Sequence, residues 1–184
     1  MNSSKEKFIL NETLSSQFLF KKCLNFLVEN KFDFNLIKSI DVTKEVPVFI
    51  DHEGNKFSID FVNNKTNYHK KKSGLKSEIL SKALGSGRYG LRVLDLSAGL
   101  AVDAIFLSQL GYHLTAVERN PLIYLALSIA HENLQESKKP SLNFIFSDAQ
   151  SYLKNTKNEY DVIYFDPMFP HKAKTALPKQ EMIF

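Results

Sequence analysis

Hydrophobic and polar positions follow two different rhythms along this chain. Leu14 to Asn30 carries apolar residues at helical spacing. Val46, Val48 and Ile50, then Phe57, Ile59 and Phe61, alternate with period two around His52-Glu53-Gly54-Asn55. That alternation predicts a β-hairpin closed by a glycine turn. Asn63 to Ser73 is polar and basic, with Tyr68-His69-Lys70-Lys71-Lys72 at its centre, and reads as a linker. Leu75, Ile79, Leu80, Ala83 and Leu84 then share one side of a predicted amphipathic helix that stops at Gly85 and Gly87. From Arg92 the rhythm becomes strand, helix, strand, helix. Strands are predicted at Arg92 to Leu96, His113 to Val117, Leu142 to Phe146 and Tyr160 to Phe165. Helices are predicted at Val102 to Leu110, from Pro121 to about Gln135, and near Ala149 to Leu153. Such alternation predicts an α/β fold with a parallel sheet. The boundaries follow: an N-terminal α+β domain containing the hairpin over 1–66, a basic linker and helix over 67–90, and an α/β domain over 91–184.

Composition narrows the class. At 184 residues the chain suits one domain with a small appendage, and a net charge of +4 permits a polyanionic partner without demanding one. A single cysteine, Cys23, excludes an intrachain disulfide and a cysteine zinc cage and fits a reducing compartment. The apolar stretch from Phe18 to Val28 is broken by Lys21 and Lys22, so neither a signal peptide nor a membrane span is expected. The location expected is the cytoplasm.

Chemistry gathers at the C-terminal ends of the predicted strands, the edge where open α/β sheets bind ligands. The first strand runs into Asp95-Leu96-Ser97-Ala98-Gly99-Leu100-Ala101-Val102-Asp103, whose small residues let backbone approach a ligand ahead of a helix N-terminus. A dinucleotide fingerprint needs three spaced glycines and only Gly99 is present, so a dinucleotide-dependent oxidoreductase ranks low. The second strand ends in Glu118, placed to accept hydrogen bonds from ribose hydroxyls, with Arg119 beside it. The third leads to Asp148 and Ala149, where Asp148 is a candidate acceptor for an adenine amino group. The fourth leads into Asp166-Pro167-Met168-Phe169-Pro170-His171. Each acid alone suits a turn or a helix cap. Four successive strands ending in Asp95, Glu118, Asp148 and Asp166 favour a nucleoside site. No His or Cys partner stands at ligand spacing, so no metal is expected. In the last motif the prolines fix φ and remove donors, and Phe169 offers a flat surface, a combination suited to a planar base carrying an exocyclic amine.

Taken together, Leu94-Asp95-Leu96-Ser97-Ala98-Gly99-Leu100 with Asp103, Val117-Glu118-Arg119-Asn120-Pro121, and Asp166-Pro167-Met168-Phe169-Pro170-His171-Lys172 with Lys174 resemble the RsmJ family. These are class I S-adenosylmethionine-dependent methyltransferases acting on guanine N2 in small-subunit (16S) ribosomal RNA. The resemblance runs from about residue 57 to the C-terminus, and the Asp-Pro-Met-Phe-Pro-His-Lys block is its specific part. It implies a Rossmann-like class I methyltransferase sheet. It also implies S-adenosylmethionine as cofactor, held by Asp95, Ser97, Ala98, Gly99, Asp103, Glu118, Arg119, Asp148 and Ala149. Two departures stand out. The family's loop continues Gly-Leu-Gly-Arg-Asp, whereas Ala101 and Val102 precede Asp103 here. The chain also ends at Phe184, inside the helix predicted after the fourth strand, so an incomplete sheet and a C-terminally truncated domain are expected.

The resemblance further implies that Asp166 and the Pro167 carbonyl accept the two N–H bonds of the guanine amine, turning its lone pair toward the methyl, while Phe169 stacks on the base. Ribosomal RNA, free or in the small subunit, is the expected partner. His69, Lys70, Lys71, Lys72 and Lys76, with His171, Lys172 and Lys174, are its candidate contacts, and His171 is a substrate or structural contact rather than a base. Two alternatives stay open: a related enzyme methylating adenine N6 or a glutamine amide, and a shortened module that binds S-adenosylmethionine or RNA without transferring methyl.

Overall fold

The computed structural model describes residues 14–62, 80, 82–84, 90–134 and 141–166. The described residues begin with α1 (Leu14–Glu29) and a single 3-10 turn at Phe34–Leu36, whose preceding Asp33 side chain accepts from Asn35 N–H. Three short strands follow, β1 (Ser39–Asp41), β2 (Val48–Ile50) and β3 (Lys56–Phe57), paired antiparallel in that order. The expected hairpin forms, and its turn is closed by Asp51. The Asp51 carboxylate accepts from the backbone N–H groups of Glu53 (2.9 Å) and Asn55 (2.8 Å) and from Asn55 Nδ2 (2.7 Å), around Gly54 at φ 86°. Pairing differs from expectation at both ends. β1 adds a strand too short to register as an alternating run, with Ile40 opposite Phe49. The expected strand from Phe57 to Phe61 is paired only at Lys56 and Phe57. Beyond that the Asp60 carboxylate accepts Val62 N–H at 2.9 Å and turns the chain, so Ile59 and Phe61 are buried by tertiary packing.

The second half is a four-stranded parallel sheet in the order β6-β5-β4-β7, built from β4 (Arg92–Asp95), β5 (His113–Glu118), β6 (Leu142–Phe146) and β7 (Val162–Tyr164). Its helices are α2 (Val102–Gln109), α3 (Pro121–Glu132) and α4 (Ala149–Asn155). Asn120 caps α3 through its side-chain oxygen, with Pro121 in the first turn, the position where a missing N–H costs nothing. Side chains alternate across the strands. Val93, Leu114, Ala116, Leu142 and Phe144 face a core shared with α1, α2 and α3, whereas Leu94, Leu96 and Val117 face a smaller cluster containing Ala149, Tyr152 and Tyr160.

The N-terminal elements pack into that larger core. Phe26 stacks on Tyr124 at 5.5 Å between ring centroids, Phe61 stacks on Phe144 at 6.4 Å, and Asn133 Nδ2 donates to the Glu45 carbonyl at 2.9 Å. Lys22 pairs with Glu132 at the surface. Burial pushes the Cys23 thiol up to about 12, so it packs as a small apolar group. No described helix is long and apolar enough to cross a membrane.

Of the helix expected from Leu75 to Leu84, only the end is described, where Leu84 N–H donates to the Leu80 carbonyl at 3.1 Å. The basic segment with His69, Lys70, Lys71, Lys72 and Lys76 lies outside the described residues, as do Pro167, Phe169, His171, Lys172 and Lys174.

Candidate active site

All four parallel strands deliver their C-terminal ends to one edge, and the central pair carries the buried acids. Asp95 ends β4 at 2% exposure, and Glu118 ends β5 at 8%. Between β4 and α2 the chain makes a tight loop. Ala98 N–H donates to the Val117 carbonyl (3.0 Å) and Ala101 N–H to the Ala98 carbonyl (2.7 Å). Gly99 at φ 51° and Ala101 at φ 56° are both left-handed. Glycine adopts that conformation freely, and a Cβ on Gly99 would meet nothing nearer than the Ser97 carbonyl at 3.9 Å, so the demand there is conformational.

Glu118 holds this loop from the side. Its Oε2 accepts from Gly99 N–H at 2.9 Å and its Oε1 from Asn120 N–H at 2.7 Å. A carboxylate offers about four acceptor positions, so capacity remains for further donors. Burial raises the Glu118 carboxyl above its ordinary range, against those hydrogen bonds. Asp95 Oδ1 accepts Ser97 N–H at 2.9 Å, and burial, with the charges of Asp103 and Glu118 adding to it, lifts Asp95 to about 6. Asp103, in the first turn of α2, completes an acidic rim.

Asp166 joins this loop from the far strand. Its N–H donates to Ser97 Oγ at 2.8 Å, and Tyr164, two residues earlier, donates its hydroxyl to Asp103 Oδ2 at 3.0 Å. Leu96 N–H donates to the Tyr164 carbonyl at 3.0 Å. Asp95, Ser97, Ala98, Gly99, Asp103, Glu118 and Asp166 are therefore brought to one edge by named bonds. Asp148 stands at the end of β6 as an exposed cap of α4, its Oδ1 accepting Ser151 N–H at 2.9 Å, which holds its carboxyl below the usual range. Ala149 opens α4 and packs against the Leu94 cluster, and Arg119 is exposed beside Glu118. Tyr164 was missed by sequence reasoning. A phenol inside an apolar run reads as core, and the only available signal was its spacing of two from Asp166.

The donor set discriminates between cofactors. A dinucleotide places a pyrophosphate at the glycine loop, and Asp95 and Asp103 flanking this loop would repel it. A nucleoside that carries ribose hydroxyls and positive charge suits the same groups: Glu118 has acceptor capacity for hydroxyls, and the acidic rim favours a cation. S-adenosylmethionine has both features, so the residues present fit it. Among the described residues no group of His, Cys, Asp and Glu is arranged to hold a metal.

Comparison with known proteins agrees with the geometry. A family model for SAM-dependent methyltransferases matches residues 24–184. The ribosomal RNA small subunit methyltransferase J of Bdellovibrio bacteriovorus is 43% identical over 135 residues, covering 72% of this chain and 54% of its own length. The enzyme of that name from Pseudoalteromonas translucida is 30% identical over 181 residues, covering 89% of this chain and 72% of its own length. The chain thus spans about half the length of several relatives it matches. A crystal structure of a SAM-dependent methyltransferase from Neisseria gonorrhoeae superposes with a TM-score of 0.62 at 20% identity, over 88% of this chain and 69% of that one, which identifies the sheet as a Rossmann-like class I methyltransferase fold. The chain belongs to the RsmJ family of SAM-dependent methyltransferases.

Proposed function

We propose that this protein transfers a methyl group from S-adenosylmethionine to the exocyclic N2 of a guanine in small-subunit ribosomal RNA, in the cytoplasm. One observation supports the reading above the others: Asp166 is bonded directly to the loop that Glu118 and Asp95 organise, so the two groups that this reading needs together share one small edge. The names of the relatives support the rRNA substrate.

When bound, S-adenosylmethionine supplies an electrophilic methyl on a sulfonium, and displacement must be in line, so the protein's contribution is mainly positioning. Glu118 accepts from the ribose hydroxyls while its bonds to Gly99 and Asn120 keep the loop in register. Asp166 accepts an N–H of the amine, directs its lone pair and stabilises the positive charge that develops on nitrogen. The Pro167 carbonyl accepts the second N–H, and Phe169 stacks on the base, worth about 1 to 3 kcal/mol. The base leaves its stack to reach the edge. His69, Lys70, Lys71, Lys72 and Lys76, with His171, Lys172 and Lys174, contact the RNA, and the lysines neutralise phosphates.

Incubation with methyl-labelled S-adenosylmethionine and unmethylated small-subunit RNA, followed by nucleoside analysis, tests this reading. Label in N2-methylguanosine is expected. Label in N6-methyladenosine would replace the substrate, and cofactor binding without any labelled RNA would select a binding module instead.

A further inference from the structure

Tyr164 touches the loop that joins β4 to α2 at both ends. Its carbonyl accepts from Leu96 N–H at the start, and its hydroxyl donates to Asp103 Oδ2 at the end. The same hydroxyl stands 3.4 Å from Asp166 Oδ2. Residues 164 and 166 leave the same face of the extended chain, while Ile163 and Phe165, each 57% exposed, leave the other. A phenol has one proton, so it serves one carboxylate fully at a time. Burial, together with the neighbouring carboxylates of Asp103, Asp166 and Asp95, raises the phenol above its ordinary value, so at neutral pH it acts as a donor.

We propose that Tyr164 is a positioning residue for methyl transfer, its hydroxyl shared between Asp103 and Asp166 so that the cofactor loop and the substrate carboxylate are set as one unit. A donor at Oδ2 of Asp166 restrains the carboxylate that is proposed to meet the substrate amine. The backbone bond from Asp166 to Ser97 fixes the Cα, and the Tyr164 contact fixes the head group. Small displacements of such a group are expensive in rate, which is why one hydroxyl outside the reacting atoms matters. The inference rests on the reading of Asp166 as the amine acceptor.

Tyr164→Phe removes the proton and keeps the ring. In the full chain, the melting temperature is expected to move by only a few degrees. S-adenosylmethionine affinity, read by calorimetry, should fall about threefold to tenfold. The single-turnover rate on unmethylated rRNA should fall about tenfold with KM for RNA unchanged. Adding Tyr164→Phe to Asp103→Ala should change cofactor affinity by less than about twofold, because the contact is already gone. Native affinity and rate in Tyr164→Phe would overturn the proposal, as would an equal loss of affinity in both backgrounds. Should the native chain bind cofactor but methylate nothing, the methyl-transfer reading fails. The Tyr164 link to Asp103 is then still decided by the binding cycle.

Discussion

Among the described residues, the centre of the parallel sheet and its β7 edge are built to different standards. At the centre, β5 lies between β4 and β6, with Ala116 and Val117 almost fully buried, and α3, which contacts it, buries Leu122, Leu125, Leu127 and Ala130. At the edge, β7 buries no residue completely, and Ile163 and Phe165 are more than half exposed. Glu118 stands on the first kind of ground and Asp166 on the second. The loop proposed to bind the nucleoside is therefore held by packed scaffold, and Asp166, the proposed substrate carboxylate, takes its order from that loop through Ser97 and Tyr164. Packed elements open rarely and edges open often, so the two halves of the site differ in rigidity as well as chemistry.

The sharpest way to break this comparison is to remove one acid from each half. Asp166→Ala deletes a group that is exposed and is proposed to stabilise transition-state charge, so methyl transfer is expected to fall about a thousandfold, while melting temperature and cofactor affinity stay near native. Glu118→Ala strips the acceptor from Gly99 N–H and Asn120 N–H. It should abolish measurable cofactor binding and also lower stability, by about 1 to 3 kcal/mol. Parallel calorimetry and thermal melts check both. If Asp166→Ala unfolded the chain, or Glu118→Ala left binding intact, the division of labour would be wrong.

Packing gives the next largest contrast. Leu127 is fully buried and Phe165 is 57% exposed. Leu127→Ala is expected to cost about 3 kcal/mol in urea unfolding. Phe165→Ala, despite removing a larger side chain, should stay within about 0.5 kcal/mol. Similar costs for the two would show that the edge is covered in solution.

How much of this was legible beforehand depended on periodicity. The four parallel strands and the helices between them were readable because Val93-Leu94, Leu114 to Val117 and Leu142 to Phe146 are apolar runs separated by amphipathic stretches with clear caps such as Asn120-Pro121. The antiparallel part was harder. β1 spans only Ser39–Asp41, too short to establish a period, and the run from Phe57 to Phe61 alternates because Phe57, Ile59 and Phe61 face the core while Ser58 is exposed, although strand pairing ends at Phe57. Acids at strand ends drew attention to the site edge, since carboxylates at that edge are conspicuous beside buried runs. Their separate environments could not be read: Asp95 and Asp148 look alike in sequence, yet one is 2% exposed and the other an exposed cap. Tyr164 was invisible for the opposite reason, a polar tip carried by a residue whose ring belongs in a strand.

The buried acid at the centre makes a pH-dependent prediction that the edge does not. Asp95 is lifted from 3.8 to about 6, chiefly by burial. Between about pH 4 and pH 6 the native state holds a proton that the unfolded chain has released, so this group's contribution to stability is fully present below pH 4 and is lost as pH rises through 6. Asp95→Asn keeps an acceptor for Ser97 N–H and removes the charge. Urea unfolding at pH 4 and pH 7 should find the variant gaining about 2 kcal/mol over the native chain at the higher pH relative to the lower. A constant difference across that range would mean that Asp95 is solvated. The cation of S-adenosylmethionine favours the charged acid, so native affinity should rise over the same window.

The smallest expected effect concerns the two left-handed residues of the loop. Ala101 is fully buried, its N–H bonded to the Ala98 carbonyl and its own carbonyl accepting from Ile105 N–H at 2.9 Å, so its methyl faces the core rather than a ligand. A left-handed alanine costs about 1 kcal/mol relative to glycine. Burying one methyl returns about 0.8 kcal/mol. Ala101→Gly should therefore change stability by less than about 0.5 kcal/mol, with cofactor affinity within about twofold of native. Gly99 has the same backbone sign, but a Cβ there has only ordinary contact at 3.9 Å and little burial to gain. Gly99→Ala should cost about 1 kcal/mol with no compensation. Equal effects at the two positions would mean that the buried methyl contributes nothing, and that Ala101 is tolerated because the whole loop yields rather than because the core fills behind it.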